Sequence, residues 1–237
     1  MIKLFTKTAL LTLLVCCTAF IAKAQLGYNY SQYDVGTSLS LNSVTGDVTP
    51  QKTMAAVNFN FTYNVTPYTN FVFEAQMGKL RGGDSVNTAS GRYFNNDFYA
   101  FTFRGQIQFG EFLDYSRSPF MNAAKNFYVS TGIGMIRNHI TQISRFSNTI
   151  PSVYTPGEDA SHEPFIPLRI GYEFKIYNQY MQPSVKIDLG YEANFVFGDE
   201  VDGFAAGSHS DIYTQISVGV KFAIGSNVVS YRKQIPY

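Results

Sequence analysis

The 237-residue sequence predicts an all-β fold: an eight-stranded antiparallel up-and-down transmembrane β-barrel. Three observations carry that expectation. The stretch from Phe165 to Ile176 places Ile166, Leu168, Ile170, Tyr172, Phe174 and Ile176 on one face, and Pro167, Arg169, Gly171, Glu173 and Lys175 on the other. Successive side chains of a strand point to opposite faces, so one face is oily and the other polar and charged. Seven further segments show the same period of two, and an even number of antiparallel strands closes into a cylinder with no bare edge. The connections also mostly alternate short and long, as they do in outer-membrane barrels.

The strands are expected at about residues 33–42, 54–65, 70–80, 97–109, 126–136, 165–176, 180–195 and 211–224. In the first, Tyr33, Val35, Leu39 and Leu41 oppose Asp34, Gly36, Ser38 and Ser40. The second runs from Ala55 to Val65 against Asn58, Asn60, Thr62 and Asn64, and a tight turn at Thr66–Thr69 leads into Phe71, Phe73, Ala75 and Met77. A long polar loop precedes Tyr99, Phe101, Phe103 and Ile107, whose other face carries Ala100, Thr102, Arg104 and Gln106. The connection from Glu111 to Asn126 is longer than the alternation wants and is partly apolar, with a helical turn expected near Met121–Lys125. After the fifth strand, 137–164 reads as the longest loop; a short turn at Tyr177–Tyr180 and an acidic, glycine-containing loop separate the last three strands. Each strand is close to the length that crosses a bilayer at a tilt.

Composition narrows the function. Eighteen Lys and Arg balance seventeen Asp and Glu, so no basic field is present to hold nucleic acid. Lys3 and Lys7, an apolar run and Ala22-Lys23-Ala24 read as a secretory signal over residues 1–24, with the barrel domain over 25–237. Leu13-Leu14-Val15-Cys16 also resembles a lipoprotein box, but Ala22–Ala24 is the better cleavage site. Both cysteines, Cys16 and Cys17, fall inside the leader, and cleavage there removes thiol chemistry from the exported chain.

The polar faces collect Arg104, Arg169, Lys175, Lys186 and Lys221 with Asp34, Glu74, Glu173, Asp188 and Glu192. Near-balanced charge suits a lumen network that neutralises itself, whereas a soluble barrel holding an apolar ligand wants the reverse. An eight-stranded barrel is filled by its own side chains, so an open pore is not expected. Aromatics at strand ends suit two interfacial girdles: Tyr63, Tyr68, Phe71, Phe109, Phe174, Tyr177 and Tyr180 at one end, and Phe98, Tyr99, Tyr191 and Phe195 at the other.

Other motifs are weaker than their bland readings. His209-Ser210-Asp211 is the compact catalytic candidate, but neighbours on an extended chain point apart and form no triad with one another. Glu158–Glu163 and Asp199–Asp202 lack metal-ligand spacing. Gly132 and Gly134 lie within a strand, and are expected to make room for a cationic side chain crossing the lumen. Asp84-Ser85-Val86 matches a three-residue O-glycosylation motif in an outer loop. No cofactor or metal is expected.

Val65 to Phe71 (VTPYTNF), Gly78 to Asp84 (GKLRGGD) and Ile216 to Gly225 (ISVGVKFAIG) are similar to recurring phrases of small outer-membrane β-barrel proteins of Bacteroidota, the OmpA/OmpX-like superfamily. Gly46 to Pro50 (GDVTP) resembles the small barrel of the type IX secretion machinery. The resemblance implies a non-enzymatic barrel in outer-membrane lipid that anchors an envelope or secretion complex. The residues themselves point to an inward contact through Phe112, Tyr115, Phe120 and Met121 of the longer turn. A lipid A-modifying hydrolase and a secreted soluble ligand-binding barrel remain the alternatives.

Overall fold

The computed structural model describes residues 27–46, 48–84, 91–115, 118–147, 154–205 and 211–232. The signal segment 1–24, the pair His209 and Ser210, and Ser85 and Val86 of the glycosylation motif lie outside them. The long strands are β1 (Gly27–Thr45), β3 (Met54–Asn64), β4 (Thr69–Gly83), β5 (Tyr93–Gln108), β6 (Phe127–Ser144), β7 (Ala160–Tyr177), β8 (Pro183–Val196) and β9 (Ile212–Arg232). A two-residue strand, β2 (Gln51–Lys52), adds to the edge of β4. Each long strand pairs antiparallel with the next, and β1 pairs with β9, so the sheet closes into an eight-stranded barrel.

Register settles which face looks inward. Asp34, Asn60, Glu74, Arg104, Arg169, Asp188 and Lys221 lie inside, and the inward position two residues on is a glycine after Asp34, Arg169 and Asp188 and a side chain after the others. The outer wall carries Leu39, Phe59, Phe73, Phe101, Ile133, Ile170 and Val218, all exposed; Leu39 is 68% and Ile133 69% accessible. Phe71 stacks on Phe103 at 5.8 Å, and Phe73 on Phe101 at 6.4 Å, as offset pairs on that wall.

The first and last described residues, Gly27 and Arg232, and the short connections share one end of the barrel, here the turn end. At the 64–69 turn, the Thr66 hydroxyl accepts from the Tyr68 and Thr69 amides and donates to Glu111 at 2.8 Å. At the 177–183 turn, the Asn178 carboxamide oxygen accepts from the Tyr180 and Gln182 amides. The longer β5–β6 connection holds one helical turn, α1 (Pro119–Ala124), with Ser118 capping the Met121 amide at 3.2 Å and Pro119 opening the helix.

The strands run further than their outward pattern foretells at the opposite, loop end. β5 begins at Tyr93 rather than 97, and β6 and β7 reach Ser144 and Ala160, taking up nearly half of the expected 137–164 loop. The reason is chemical. In β6 the outward residues beyond Met135 are Arg137, His139 and Thr141, while Ile136 and Ile140 turn inward. In β5, Phe94 and Phe98 turn inward while Asn95 and Asp97 turn out. Period two persists, but apolar and polar faces exchange, so a search for apolar outer faces stops too early. β1 and β9 also extend at the turn end, where Gly27–Ser31 pairs with Val228–Arg232.

Candidate functional site: the barrel interior and its two ends

Inside the middle of the barrel, the ten charged side chains named from sequence all lie on lumen-facing positions. Lys221 donates to Glu173 at 2.7 Å and to Asp188 at 3.0 Å. Asp188 also accepts from Arg169 at 2.5 Å and from the Tyr128 hydroxyl at 3.0 Å. Arg169 approaches Glu192 at 3.7 Å, Glu192 pairs with Arg104, and Arg104 reaches Glu74 at 2.9 Å. Lys186 and Asp34 pair separately at 2.6 Å, with Asn64 donating to the same Asp34 oxygen. Lys175 is the exception: it is half-buried and bonds Gln108 at 2.6 Å and the Pro67 carbonyl at 2.8 Å, reaching Glu173 only through Gln108. Five cations face five anions, so this group of ten carries no net formal charge. Like charges sit opposite each other across β7–β8, as with Glu173 and Asp188, and a counter-ion from β9 lies between them.

Glycines shape this interior differently from the sequence reading. Gly190 is the position that admits a cation: the Arg169 guanidinium lies where a Cβ would sit. Gly134 instead accepts the Phe165 ring, and Gly132 lies against the backbone of Phe103 and Arg104. Two small cavities, one beside Arg104 and Arg169 and one beside Lys175 and Lys186, are each about 10 Å³, room for about one water.

The turn end is closed by aromatic rings and amines. Tyr68 is fully buried, packs on Tyr115 at 5.7 Å and Tyr231 at 6.1 Å, and carries the Lys175 amine over its face at 4.7 Å. Lys125 lies over the Tyr115 ring at 4.8 Å, and burial pushes its amine down to about 8. Tyr115 is therefore not a surface contact residue. It points into the barrel mouth and is buried, because a phenol and the Lys125 stem together seal a wet end better than solvent contact does. Of the other three residues proposed for an inward contact, Phe112 and Phe120 are about three-quarters exposed and Met121 lies on α1, partly exposed. Tyr68 likewise leaves the expected girdle, and so does Phe98, which turns into the lumen at the loop end. Tyr63, Phe71 and Phe109 stay on the outer wall, joined by Phe127 and Tyr172, whose rings meet edge to face at 4.7 Å.

The loop end is closed by hydrocarbon. Val201 and Phe204, from the connection between β8 and β9, are fully buried in a cluster with Leu80, Phe94, Phe98 and Phe165. Polar ties hold the inserted segment: Asn96 donates to the Val201 carbonyl at 2.7 Å, Arg145 donates to the Gly203 carbonyl at 3.1 Å, and Asp211 accepts from the Val201 amide at 3.0 Å. Asp211 is buried beside Asp202; burial first, then the Asp202 and Asp199 charges, push its carboxyl up to about 8. Sequence reasoning missed this plug, since the only signal was the pair Val201 and Phe204 within an acidic loop. His139 and His162 point outward from β6 and β7 and do not meet Asp211 in any site. Among the described residues, no group of three or more His, Cys, Asp or Glu side chains is placed to hold a metal ion, and no helix is long and apolar enough to cross a membrane.

No described protein family matches the sequence, and no curated protein matches it. Several solved structures align with most of the chain. Neisserial surface protein A is 12% identical with a TM-score of 0.47, over 82% of this chain and 98% of its own. Ail, the attachment invasion locus protein of Yersinia pestis, is 11% identical with a TM-score of 0.44, over 81% and 98%. Outer membrane protein AlkL, solved in lipid bilayers, is 13% identical with a TM-score of 0.43, over 92% and 98%. These are structural likenesses alone, and what those proteins do is not carried over to this chain.

Proposed function

We propose that this chain is a non-enzymatic outer-membrane β-barrel with a self-neutralised, non-conducting lumen, serving as a structural or interaction protein of the envelope. The observation that carries this reading is the inversion of a soluble barrel's polarity: aliphatic and aromatic side chains cover the outer wall of the middle section, and ion pairs fill its inside. Buried backbone in hydrocarbon must be internally bonded, and a closed sheet meets that demand. A soluble barrel with this wall would expose apolar area far beyond what a monomer tolerates in water. The turn end, with its short connections, faces the periplasm on this reading, and the loop end faces outside.

Phe112, exposed ahead of α1, and Phe120, exposed on it, support a role for the turn end in anchoring a periplasmic partner from the envelope or secretion machinery. Fractionation tests the location: the protein should be recovered from detergent-extracted outer membrane, and recovery in the soluble periplasm or medium would overturn it. Planar-bilayer recordings of the purified barrel should show no steady conductance. Replacing Phe112 and Phe120 with Ser should strip periplasmic partners from the barrel in gently solubilised membranes; unchanged co-purification would remove the anchoring role. Lipid A from a strain lacking the protein should keep its acylation pattern.

A further inference from the structure

The outer wall at the loop end is charged on one side only. On β4 to β7, the last outward apolar residues are Met77, Met135 and Pro164, and the next outward positions carry Lys79, Arg137 and His162. Two residues of strand advance about 7 Å, so these groups stand just beyond the apolar wall. On β1 and β9 the corresponding outward positions are Ser43 and Thr214, which carry no charge.

Register brings the polar groups together. Arg137 lies directly opposite His162 across β6–β7 and opposite Tyr99 across β5–β6. His139, two residues further along β6, lies opposite Asp97, and Asp97 already pairs with Lys79 at 3.1 Å. Adjacent strands are about 4.8 Å apart, so Arg137 and His162 are neighbours on this wall, and His139 stands about 7 Å further along β6. All three are exposed. Among the described residues, their side chains have no hydrogen-bond or ion-pair partner.

The lumen shows how this chain treats similar groups that face each other. Glu173 and Asp188 share Lys221, and Lys186, flanked by Lys175 and Lys221, has Asp34. Facing like charges destabilise a sheet unless a counter-charge joins them. Arg137, with His162 opposite it, has no such counter-charge from the chain. The missing partner is an anion, and at that height on a membrane wall the abundant anion is a headgroup phosphate. Guanidinium and imidazole N–H groups donate to phosphate oxygens, and the Tyr99 ring beside them suits the headgroup boundary.

We propose that Arg137, His139 and His162 form a binding site on the outer wall for the phosphate of a lipid headgroup in the leaflet at the loop end. The site rests on the membrane reading above and adds a ligand class and a position to it. The test uses the exported barrel in phosphatidylcholine nanodiscs, with native mass spectrometry of bound lipid A, a phosphorylated glycolipid. The double variant R137S/H162S should retain at least about fivefold less lipid A than the unaltered protein, with R137K intermediate. Dephosphorylated glycolipid should be retained weakly and equally by both. Equal retention of lipid A by the two proteins would overturn the site. So would retention that is indifferent to the phosphates, or complete displacement of lipid A by excess inorganic phosphate, which would mark a free-anion site. The substituted residues are exposed, so both proteins should insert alike; a barrel that fails to enter phosphatidylcholine bilayers at all would instead contradict the membrane reading.

Discussion

The middle of the barrel and its loop end are built on opposite plans from the same strands. In the middle, Phe101 and Phe103 face out while Thr102 and Arg104 face in; one turn of the pattern later, Asp97 faces out while Phe98 faces in. The middle section is held by ion pairs in an interior that water scarcely enters, beneath an apolar wall. The loop end is an ordinary soluble core, with Phe94, Phe98, Phe165, Val201 and Phe204 packed inside. The exchange falls at Tyr99, Met135 and Pro164, and on the membrane reading marks where the surrounding solvent changes. A strand can cross that boundary without bending, because only its side chains have to change sides.

The largest expected effect lies in the middle section. Glu192 stands between Arg104 and Arg169, and Glu192→Ala leaves two buried guanidinium groups facing each other; we expect a loss of about 3–5 kcal/mol in urea unfolding from lipid vesicles. Next comes the loop end, where Phe204→Ala should cost about 3 kcal/mol by leaving a cavity in the apolar plug. Hydrogen exchange should place that loss in residues 196–212 and leave the strands around Arg104 protected. If both substitutions loosen the same amides equally, the two sections are not separate.

A pH series sharpens the contrast at the plug. The folded state holds the Asp211 proton up to about 8, while an unfolded carboxyl releases it near its ordinary value of 3.8. The contribution is fully present below that lower value and is lost as pH rises toward 8, because there the native state binds more protons than the unfolded one. Unfolding midpoints should therefore fall across this window and then level off, and Asp211→Asn should flatten that part of the profile. A profile unchanged in Asp211→Asn would remove the role given to the Asp202–Asp211 pair. At the turn end, Tyr68→Leu should weaken stability by about 0.5–2 kcal/mol by removing the ring under Lys175. Smallest of all, Lys79→Ser breaks an exposed pair with Asp97 and should change stability by less than about 1 kcal/mol.

The period-two pattern of Phe165–Ile176 and its counterparts made the eight strands and the inward face readable, including Arg104, Glu192 and the eight other charged residues. It could not say how those charges connect, since Arg104 and Glu192 are 88 positions apart and meet only when the sheet closes. The strand extensions were hidden for a different reason: beyond Met135 the outward residues become polar, and a pattern defined by apolar outward residues ends there. Tyr68, Tyr115 and Phe98 were misplaced because an aromatic near a strand end serves a girdle or a plug equally well, and only register distinguishes them. Val201 and Phe204 gave no period at all, being two apolar residues in an acidic connection.

The exchange of faces is tested most directly by depth. Single cysteines at Ile133 and at Thr141, both outward on β6, can carry a fluorophore in vesicles whose acyl chains are brominated. The fluorophore at 133 should be strongly quenched and the one at 141 hardly at all. Quenching at both positions would mean that the hydrocarbon covers the loop end as well, and quenching at neither would mean that the apolar wall does not face lipid.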